Sequence, residues 1–432
     1  MRLHLVYILV LLSSLGFVRQ KALGQPSPPP TIGQEPGWNV LTPPYLQSSP
    51  VDGFTFEWQY FMVHDAKRQF TGSIGYVLVD PRGRLGNITD EESLSRWKLP
   101  VSLMPSGASL AIAGRWSDGS SFSNYQRFAN EFTVSSQTKN FTAKDSQREM
   151  FATLTEETKV NALGGAFRLE GQTEDVAWDL LVTPDWMDAG ADQLGAPFGP
   201  VSGKDVGFLP GESWNVHMQW PRTHVEGTMT NRKTGETLPI SGHGYRENSW
   251  GRWNFALDGW VFSVLSDEQS KVQWAWQTYH KSKDMDWLDV RFQDQGVNKS
   301  LRFFAKDNQL RWKLKDWFYH RGAHQCVPNA VEVLAQNDDY RIRASYELTD
   351  AQLPMLSNAT ALTRIFVIMI HTPIIKGSIE NRKTGEIVAT FAGQGGGEFS
   401  TTRSLWSDIK PEQCEHWGQR FRKEYSQVPG LD

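Results

Sequence analysis

Apolar and polar residues alternate through much of this chain, and aromatic and β-branched residues fill many of the apolar positions. The pattern is clearest in residues 54–61, 73–79, 272–279 and 365–371. Alternation with a period of two is typical of β-strands that bury one face. In the third segment it places Trp274 and Trp276 on the same face.

Turn-forming residues separate these segments. Asp-Pro-Arg-Gly at 80–83 and Ser-Asp-Gly at 117–119 supply the residues that short turns favour. Strands at this density, without regularly alternating helices, predict an all-β fold of antiparallel barrels or sandwiches. Helical patterns are few: residues 351–356 predict a short helical turn, and residues 410–425 predict one longer helix.

One stretch of the chain nearly repeats another. The hexapeptide Asn-Arg-Lys-Thr-Gly-Glu at 231–236 recurs at 381–386, and a Gly-x-Gly-x-x-Glu motif follows each copy. Six identical residues within similar flanks mark a duplicated unit. Lys-Thr-Gly places glycine where a short hairpin loop needs positive φ. The repeat therefore predicts two related β domains, at 37–251 and 252–402, followed by a C-terminal tail at 403–432.

The first 24 residues predict a secretory signal peptide, and residues 25–36 a proline-rich leader. A basic start precedes a short apolar run and small residues near the expected cleavage position. The run is shorter than the roughly 20 apolar residues that cross a bilayer, so we expect no stable membrane insertion. The features together predict a protein of the secretory pathway, secreted or lumenal.

Modification sites agree with that compartment. Four Asn-x-Ser/Thr sequons predict a glycoprotein with surface loops at Asn87, Asn140, Asn298 and Asn358. The two cysteines, Cys326 and Cys414, are expected to form a disulfide in an oxidising environment. Closing so long a loop would stabilise the fold by about 4 kcal/mol. Two buried free thiols are the alternative.

Charge and composition restrict the expected ligands. The net charge is −4 with charges scattered along the chain, so neither nucleic acid nor an anionic membrane is an expected partner. The 18 tryptophans exceed what core packing usually requires. Indole rings are common where proteins bind flat organic molecules. A hydrophobic small-molecule substrate is therefore the expected partner, and the sequence predicts no oligomeric state.

Several common catalytic motifs are absent from the sequence, which has no Gly-x-Ser-x-Gly, no Walker loop and no His-Glu-x-x-His. We expect neither a metal nor a cofactor. What remains is the segment GHGYRENSWG at 242–251, where alternation places Tyr245 and Glu247 on one face. These groups and Asn248, beside aromatic walls, could polarise a carbonyl group or transfer a proton. The alternative is a structural strand in which Glu247 accepts hydrogen bonds and Trp250 fills the barrel.

At these residues the chain resembles the hydroxyneurosporene synthase-like, or carotenoid hydratase-like, family of paired lipocalin-like domains. The marks of the family are Glu-Trp-x-Tyr, here at 57–60, Trp-Pro-Arg, here at 220–222 with Gly227, and Gly-x-Gly-Tyr-x-Asp-His-Asn-Trp-Gly, met by 242–251. Its members include carotenoid hydratases, a secreted fungal isoflavonoid hydratase and fungal Diels–Alderases. The resemblance implies two tandem lipocalin-like antiparallel β-barrels. It also implies a hydrophobic substrate in a cleft formed by the first domain and its junction with the second.

The chain departs from the family within that last motif. Glu247 and Asn248 replace the Asp-His of the hydratases, so the histidine expected to help protonate an alkene is absent. A downstream Tyr-x-Asp of the hydratases also has no clear equivalent near 274–279. Hydrogen bonding and a shaped aromatic pocket remain, and these favour cyclisation over hydration.

The resulting hypothesis is a cofactor-independent pericyclase, or Diels–Alderase. It would catalyse an intramolecular (4+2) cycloaddition of a linear polyketide or polyketide–amino-acid hybrid, such as a cytochalasan precursor. Tyr60, Tyr245 or Asn248 would donate a hydrogen bond to a substrate carbonyl, and Glu247 completes the catalytic set. The predicted substrate-binding residues are Glu57, Trp58, Trp250, Trp274 and Trp276. The alternatives are a hydratase of an isoprenoid double bond, with Glu247 as the acid, and a non-catalytic carrier of a hydrophobic ligand.

Overall fold

The computed structural model describes residue 38 and residues 54–80, 107–128, 131–135, 138–161, 164–184, 201–204, 213–253, 260–267, 269–279, 282–321, 325–348, 353–355, 366–371, 373–402 and 411–415. The predicted signal peptide and leader, Asn87 and Asn358 lie outside these residues. Among the described residues, no helix is long and apolar enough to cross a bilayer. The 3₁₀-helix Pro411–Gln413 lies within the predicted C-terminal helix.

The first sheet is built from residues 54–253. Its strands are β1 Phe54–Asp65, β2 Phe70–Asp80, β3 Gly107–Arg115, β4 Ser121–Phe128, β5 Glu131–Val134, β6 Phe141–Asp145, β7 Met150–Asn161, β8 Gly164–Gln172, β9 Val176–Pro184, β10 Val201–Lys204, β11 Ser213–Asn231 and β12 Thr237–Trp253. The order across the sheet is β4-β3-β2-β1-β12-β11-β9-β8-β7-β6-β5, with β10 paired to β11. All neighbours are antiparallel, and the pairing of β1 with β12 brings the two ends of this region together.

The second sheet is built from residues 260–402. Its strands are β13 Trp260–Asp267, β14 Val272–Tyr279, β15 Ser282–Asp294, β16 Val297–Phe304, β17 Leu310–Lys315, β20 Ala330–Gln336, β21 Tyr340–Glu347, β22 Leu353–Met355, β23 Phe366–His371, β24 Ile374–Asn381 and β25 Glu386–Thr402. The order is β16-β15-β14-β13-β25-β24-β21-β20-β17, and β23 joins β25 to β22. The strands β18 Phe318–His320 and β19 Gln325–Val327 form a separate hairpin.

The two sheets follow the same strand order. The path β4-β3-β2-β1-β12-β11-β9-β8-β7 of the first sheet is repeated as β16-β15-β14-β13-β25-β24-β21-β20-β17 in the second. The register agrees, because Tyr60 lies opposite Glu247 and Phe262 lies opposite Glu398. The structure therefore supports the duplication inferred from the repeat. The predicted division between residues 251 and 252 stays a prediction, and it falls two residues before the end of β12.

Two curled, near-closed antiparallel sheets confirm the predicted all-β, tandem lipocalin-like fold. The helical turn predicted at 351–356 is wrong, because residues 353–355 form β22 and pair with β23. Pro354 lacks the N–H that a helix interior needs, whereas an edge strand tolerates proline.

Among the described residues, most buried apolar side chains pack in three large clusters, apart from a small one around the disulfide. The first sheet curls around a cluster that includes Phe61 and Trp250, and the second curls around one that includes Trp276. The third cluster lies between the sheets and includes Tyr60 and Phe262. We call this third region the junction. It buries side chains from both copies of the repeat.

The repeated hexapeptide forms the same hairpin in both copies. Its glycine has φ +77° in the first and +74° in the second, as a short turn requires. The lysine of each copy binds an aspartate of the neighbouring turn: Lys233 lies 2.7 Å from Asp175, and Lys383 lies 2.5 Å from Asp339. The strict identity of this segment thus follows from a shared turn geometry and a shared ion pair.

Cys326 and Cys414 form a disulfide with a Cα–Cα distance of 5.2 Å, as predicted. The two described sequons differ from the surface loops expected for them. Asn140 is half-buried, and its amide oxygen accepts a hydrogen bond from the backbone N–H of Glu156 at 2.7 Å. Asn298 is half-buried within β16. Glycosylation stays a prediction.

Candidate functional site

The Glu-Trp-x-Tyr strand and the glycine motif lie side by side, because β1 pairs with β12. Tyr60 lies opposite Glu247, and Met62 lies opposite Tyr245. Since side chains alternate along a strand, these four residues share one face, which forms part of the junction. Tyr245 and Glu247 are on one face as the alternation predicts.

Aromatic rings from both sheets meet at the junction. The ring of Trp58 lies 5.6 Å from that of Trp260. The rings of Tyr60 and Tyr245 lie 6.3 Å and 5.7 Å from that of Phe262. Tilted and edge contacts of this kind stabilise a packed aromatic cluster. The β1–β12 face of the first sheet therefore packs directly on β13 of the second.

Glu247 is buried in this aromatic junction and accepts several hydrogen bonds. Trp58 Nε1 and Ser249 Oγ donate to Oε1 at 3.2 Å and 3.3 Å, and the Tyr245 hydroxyl donates to Oε2. Burial raises the pKa of Glu247 to about 7, although these hydrogen bonds oppose the shift. The carboxyl group is thus partly protonated near neutral pH.

Glu398 repeats this arrangement in the second copy. Trp260 Nε1 donates to its Oε2 at 3.2 Å, just as Trp58 donates to Glu247. Burial, together with the negative charge of Glu247, raises the pKa of Glu398 to about 8. The junction therefore contains two buried, mutually interacting carboxyl groups, one from each copy.

The opposite face of β1 and β12 points into the first barrel. Glu57 Oε1 accepts hydrogen bonds from Lys139 Nζ at 3.1 Å, Asn248 Nδ2 at 2.9 Å and Gln59 Nε2 at 3.3 Å. All four side chains are buried. Asn248 and Glu57 are thus parts of a polar cluster inside the barrel. They do not share a face with Tyr245 and Glu247.

Arg246 extends this interior cluster. Its guanidinium lies 4.2 Å from the ring of Phe167 and 4.8 Å from the ring of Trp220, and it donates to Gln59 Oε1 at 2.8 Å. Burial lowers the pKa of Arg246 to about 9. Burial, with the positive charge of Arg246, lowers the pKa of His217 to about 4. The cluster is a charged interior surrounded by aromatic rings.

The four predicted wall tryptophans occupy three different places. Trp58 lies at the junction, Trp250 in the first core, and Trp274 and Trp276 in the second core. The last two share a face, as alternation predicts, but that face points into the second barrel. The structure does not bring the four indoles around one chamber.

A cleft of about 470 Å³ opens at the junction, with Met62 and Tyr245 in its lining. Both glycine motifs border it. A Cβ at Gly244 would lie 1.8 Å from the carbonyl oxygen of Met62, so glycine here lets a second backbone approach. A larger cleft of about 860 Å³ shares His64 and Gln394 with the first. Its lining is mostly polar and does not include Tyr245, and neither cleft has Glu247 or Glu398 in its lining.

Three of these buried charged residues were not predicted from the sequence to belong to the site. The repeat identified Glu398 as the counterpart of Glu247, but only the pairing of β13 with β25 places it at the junction. Arg246 could have been noticed as a charge at an inward position of a strand. Lys139 has no local signal, because it reaches Glu57 across 82 residues of sequence.

No protein-family profile matches the chain, and no curated protein sequence matches it. Three solved structures are similar to this chain, each at 12% sequence identity. AttH from Nitrosomonas europaea has a TM-score of 0.48 over 82% of this chain and 93% of that one. Kievitone hydratase from Nectria haematococca has 0.47 over 87% and 97%, and CghA with Sch210972 has 0.47 over 85% and 93%. The similarity is too low to transfer an activity or a substrate.

Proposed function

We propose that this protein is a cofactor-independent cyclase that catalyses an intramolecular (4+2) cycloaddition at the junction of its two domains. Its substrate is a linear, hydrophobic, carbonyl-containing chain of the polyketide or polyketide–amino-acid class. The observation that carries the proposal is the cleft of about 470 Å³ in which Tyr245, hydrogen-bonded to the buried Glu247, forms part of the wall.

Such a reaction depends mainly on how the substrate is held. A pocket that folds the diene against the dienophile supplies orientation, which can lower the barrier by roughly 7–11 kcal/mol in well-oriented systems. A cycloaddition forms two carbon–carbon bonds without a nucleophile or a proton transfer. The protein therefore needs shape, apolar walls and a hydrogen-bond donor.

Tyr245 is suited to be that donor. Burial, with the charge of Glu247, raises its pKa well above the usual range, so the phenol stays neutral at physiological pH. When Glu247 is protonated, its O–H can donate to the Tyr245 oxygen. The Tyr245 O–H is then available to a substrate carbonyl, and this hydrogen bond withdraws electron density from a conjugated dienophile.

Hydration of a double bond is the second candidate, and the raised pKa of Glu247 favours it specifically. A carboxylic acid that keeps its proton near pH 7 can act as a general acid toward an alkene. Water would then add to the resulting cation.

A synthetic linear trienone, with a diene and an enone joined by a saturated tether, separates these functions. We expect the protein to convert it to a bicyclic product of unchanged mass, in one stereochemical form. In water enriched with oxygen-18, a hydratase would yield a heavier product carrying the label. Recovery of bound, unchanged trienone would indicate a carrier and contradict the cyclase.

A matched pair of variants locates the site. Tyr245→Phe removes the hydroxyl of a residue that lines the cleft, whereas Tyr76→Phe removes one inside the first barrel, where it donates to Thr153 O at 3.0 Å. We expect a loss of rate of about tenfold for the first, as for one hydrogen bond to a developing charge. Equal rates in both variants would refute the placement of the site.

We also propose that the chain is secreted or resides in a secretory compartment. The Cys326–Cys414 disulfide supports this, because disulfides persist in oxidising environments. Glycosylation tested by glycosidase digestion, with a mass shift as the readout, checks the assignment.

A further inference from the structure

The polar groups buried at the junction without a hydrogen-bond partner among the described residues include the Tyr60 hydroxyl, the Ser73 hydroxyl and Oε1 of Glu398. They lie near one another, since burial and then the charge of Glu398 raise the pKa of Tyr60 well above its usual value, and the hydroxyl of Ser73 opposes that shift. Tyr60 is within reach of both Ser73 and Glu398, but its contacts with them are longer or less well aligned than a hydrogen bond requires. An unsatisfied buried polar group costs about 1–3 kcal/mol, so three together call for a partner from outside the fold.

The second copy of the repeat shows that packing alone does not require the hydroxyls. Phe262 takes the place of Tyr60, because each lies opposite the motif glutamate. Ala275 takes the place of Ser73, because Ser73 lies opposite Met62 and Ala275 lies opposite Val264. Both hydroxyls therefore belong to the first copy only, and they meet the carboxyl group of the second.

The three groups are close, along or across the strands, to residues that line the junction cleft. Met62 and Gly396, which line the cleft, are each two residues along the strand from Tyr60 and Glu398. Two residues of a strand span about 7 Å. Met62 packs against Gly396, since a Cβ there would lie 2.9 Å from Met62 Cε. An unbranched methionine changes rotamer readily, so Met62, which lies opposite Ser73, is an adaptable part of the cleft lining.

We propose that Tyr60, Ser73 and Glu398 form a binding site for the carbonyl oxygen of a hydrophobic ketone or enone, shared between the two domains. The inference rests on the proposed function in taking the junction as the substrate site. Tyr60 and Glu398 donate hydrogen bonds to the oxygen, and Ser73 supplies a third donor. No proton leaves the protein, and no covalent bond to it forms.

The chemistry of the three groups fits an oxygen acceptor. Burial raises the pKa of Glu398 to about 8, so the carboxyl group holds its proton at neutral pH and can donate. A tyrosine beside a carboxylic acid kept neutral by an apolar site is a known way to stabilise a carbonyl or enolate oxygen. For a conjugated dienophile, the same hydrogen bonds accelerate cycloaddition.

Infrared spectroscopy of a bound enone tests the proposal. The probe is 4-phenyl-3-buten-2-one labelled with carbon-13 at the carbonyl, added to the purified full chain. In the wild type, we expect its carbonyl band at lower frequency than in a hydrocarbon solvent. Tyr60→Phe should move the band back toward the solvent value and weaken binding about fivefold, as for one hydrogen bond. Tyr76→Phe, a buried tyrosine on the same strand pair but facing the first core, should change neither.

The dependence on pH identifies Glu398. The band shift should weaken above about pH 8 in the wild type, as Glu398 loses its proton, and should become independent of pH in Glu398→Gln. The other titratable groups facing Glu398 are Glu247, Tyr60, Tyr245 and Tyr279. Glu247→Gln should retain the pH dependence, and the three tyrosines have pKa values raised well above this range.

The other outcomes separate this inference from the proposed cyclase. An unshifted band in the wild type, no binding of the enone, or a shift that survives Tyr60→Phe would overturn it. A shift lost only in Tyr245→Phe would overturn it and leave the cyclase in place. A shift that behaves as expected, in a protein that does not cyclise the trienone, would support the inference and refute the cyclase.

Discussion

The two copies of the duplicated unit have kept the same hairpin and the same tryptophan–glutamate hydrogen bond, but their interiors differ in chemistry. Inward positions of β1 and β12 in the first copy carry Gln59, Arg246 and Asn248. Their counterparts in β13 and β25 are Val261, Gly397 and Phe399, which are apolar or lack a side chain. Features identical in both copies hold the fold together, whereas features present in one copy mark where a distinct role has been added.

The largest expected loss of stability comes from replacing Lys139, the cation that Glu57 binds inside the first barrel and that belongs to the first copy. Lys139→Met leaves a buried carboxylate without its ion pair, and we expect a loss of about 3–5 kcal/mol in the free energy of unfolding. Urea denaturation measures this. The exposed Lys144→Met is the control and should change stability little. The double variant Lys139→Met/Glu57→Gln should recover part of the loss; no recovery would mean that the ion pair is not the cause.

Glycines at equivalent positions of the two copies should lose different amounts of stability when they are replaced by alanine. A Cβ at Gly242 would lie 2.3 Å from the carbonyl oxygen of His64, whereas one at Gly393 would meet the end of the Leu265 side chain at 2.7 Å. Backbone cannot yield as a leucine methyl can, so we expect Gly242→Ala to cost about 3 kcal/mol and Gly393→Ala about 1 kcal/mol. Thermal unfolding of the two single variants measures the difference. Equal losses would contradict the asymmetry.

The two junction carboxyl groups should make stability depend on pH in the same direction. Both pKa values are raised by burial, to about 7 for Glu247 and about 8 for Glu398. The folded state therefore holds protons that the unfolded state releases. Stability should be highest below about pH 4.5 with respect to these groups. As the pH rises to 8, it should fall by about 3 kcal/mol for Glu247 and about 4 kcal/mol for Glu398.

Glutamine variants separate the two contributions to that profile. Glu247→Gln should remove the part of the decline that ends near pH 7, and Glu398→Gln the part that ends near pH 8. Denaturation measured from pH 4 to 9 provides the test. An unchanged slope in the double variant would show that other groups produce the pH dependence.

The smallest expected loss of stability comes from removing the N–H of one of the two junction indoles. Trp58→Phe and Trp260→Phe each remove one N–H that donates to a junction glutamate. We expect each to cost about 1–2 kcal/mol, because hydrogen bonds to a partly charged group are modest in net value. Each should also raise the pKa of its own glutamate more than that of the other, which carbon-13 chemical shifts of the carboxyl carbons would report. Equal shifts at both glutamates would contradict two separate pairs.

The alternation and the repeat were enough to predict the sheet architecture, because both express local geometry: the period of a strand and the turn of a hairpin. Tyr245 and Glu247 were predicted to share a face for the same reason. The face on which Asn248 lies follows from that alternation, but its contact with Glu57 depends on the pairing of β1 with β12. The positions of Trp274 and Trp276 depend on which way the second sheet curls, which no local pattern records.

The junction also has the geometry of a dimer interface. Each copy presents the same strand pair to the other, as two identical subunits do in an isologous contact. In such a dimer, any substitution would be duplicated across the contact, and a hydroxyl gained on one side would appear on the other. Joining the halves in one polypeptide removes that restriction. Tyr60 can therefore differ from Phe262, and a self-matching surface becomes one with distinct left and right sides.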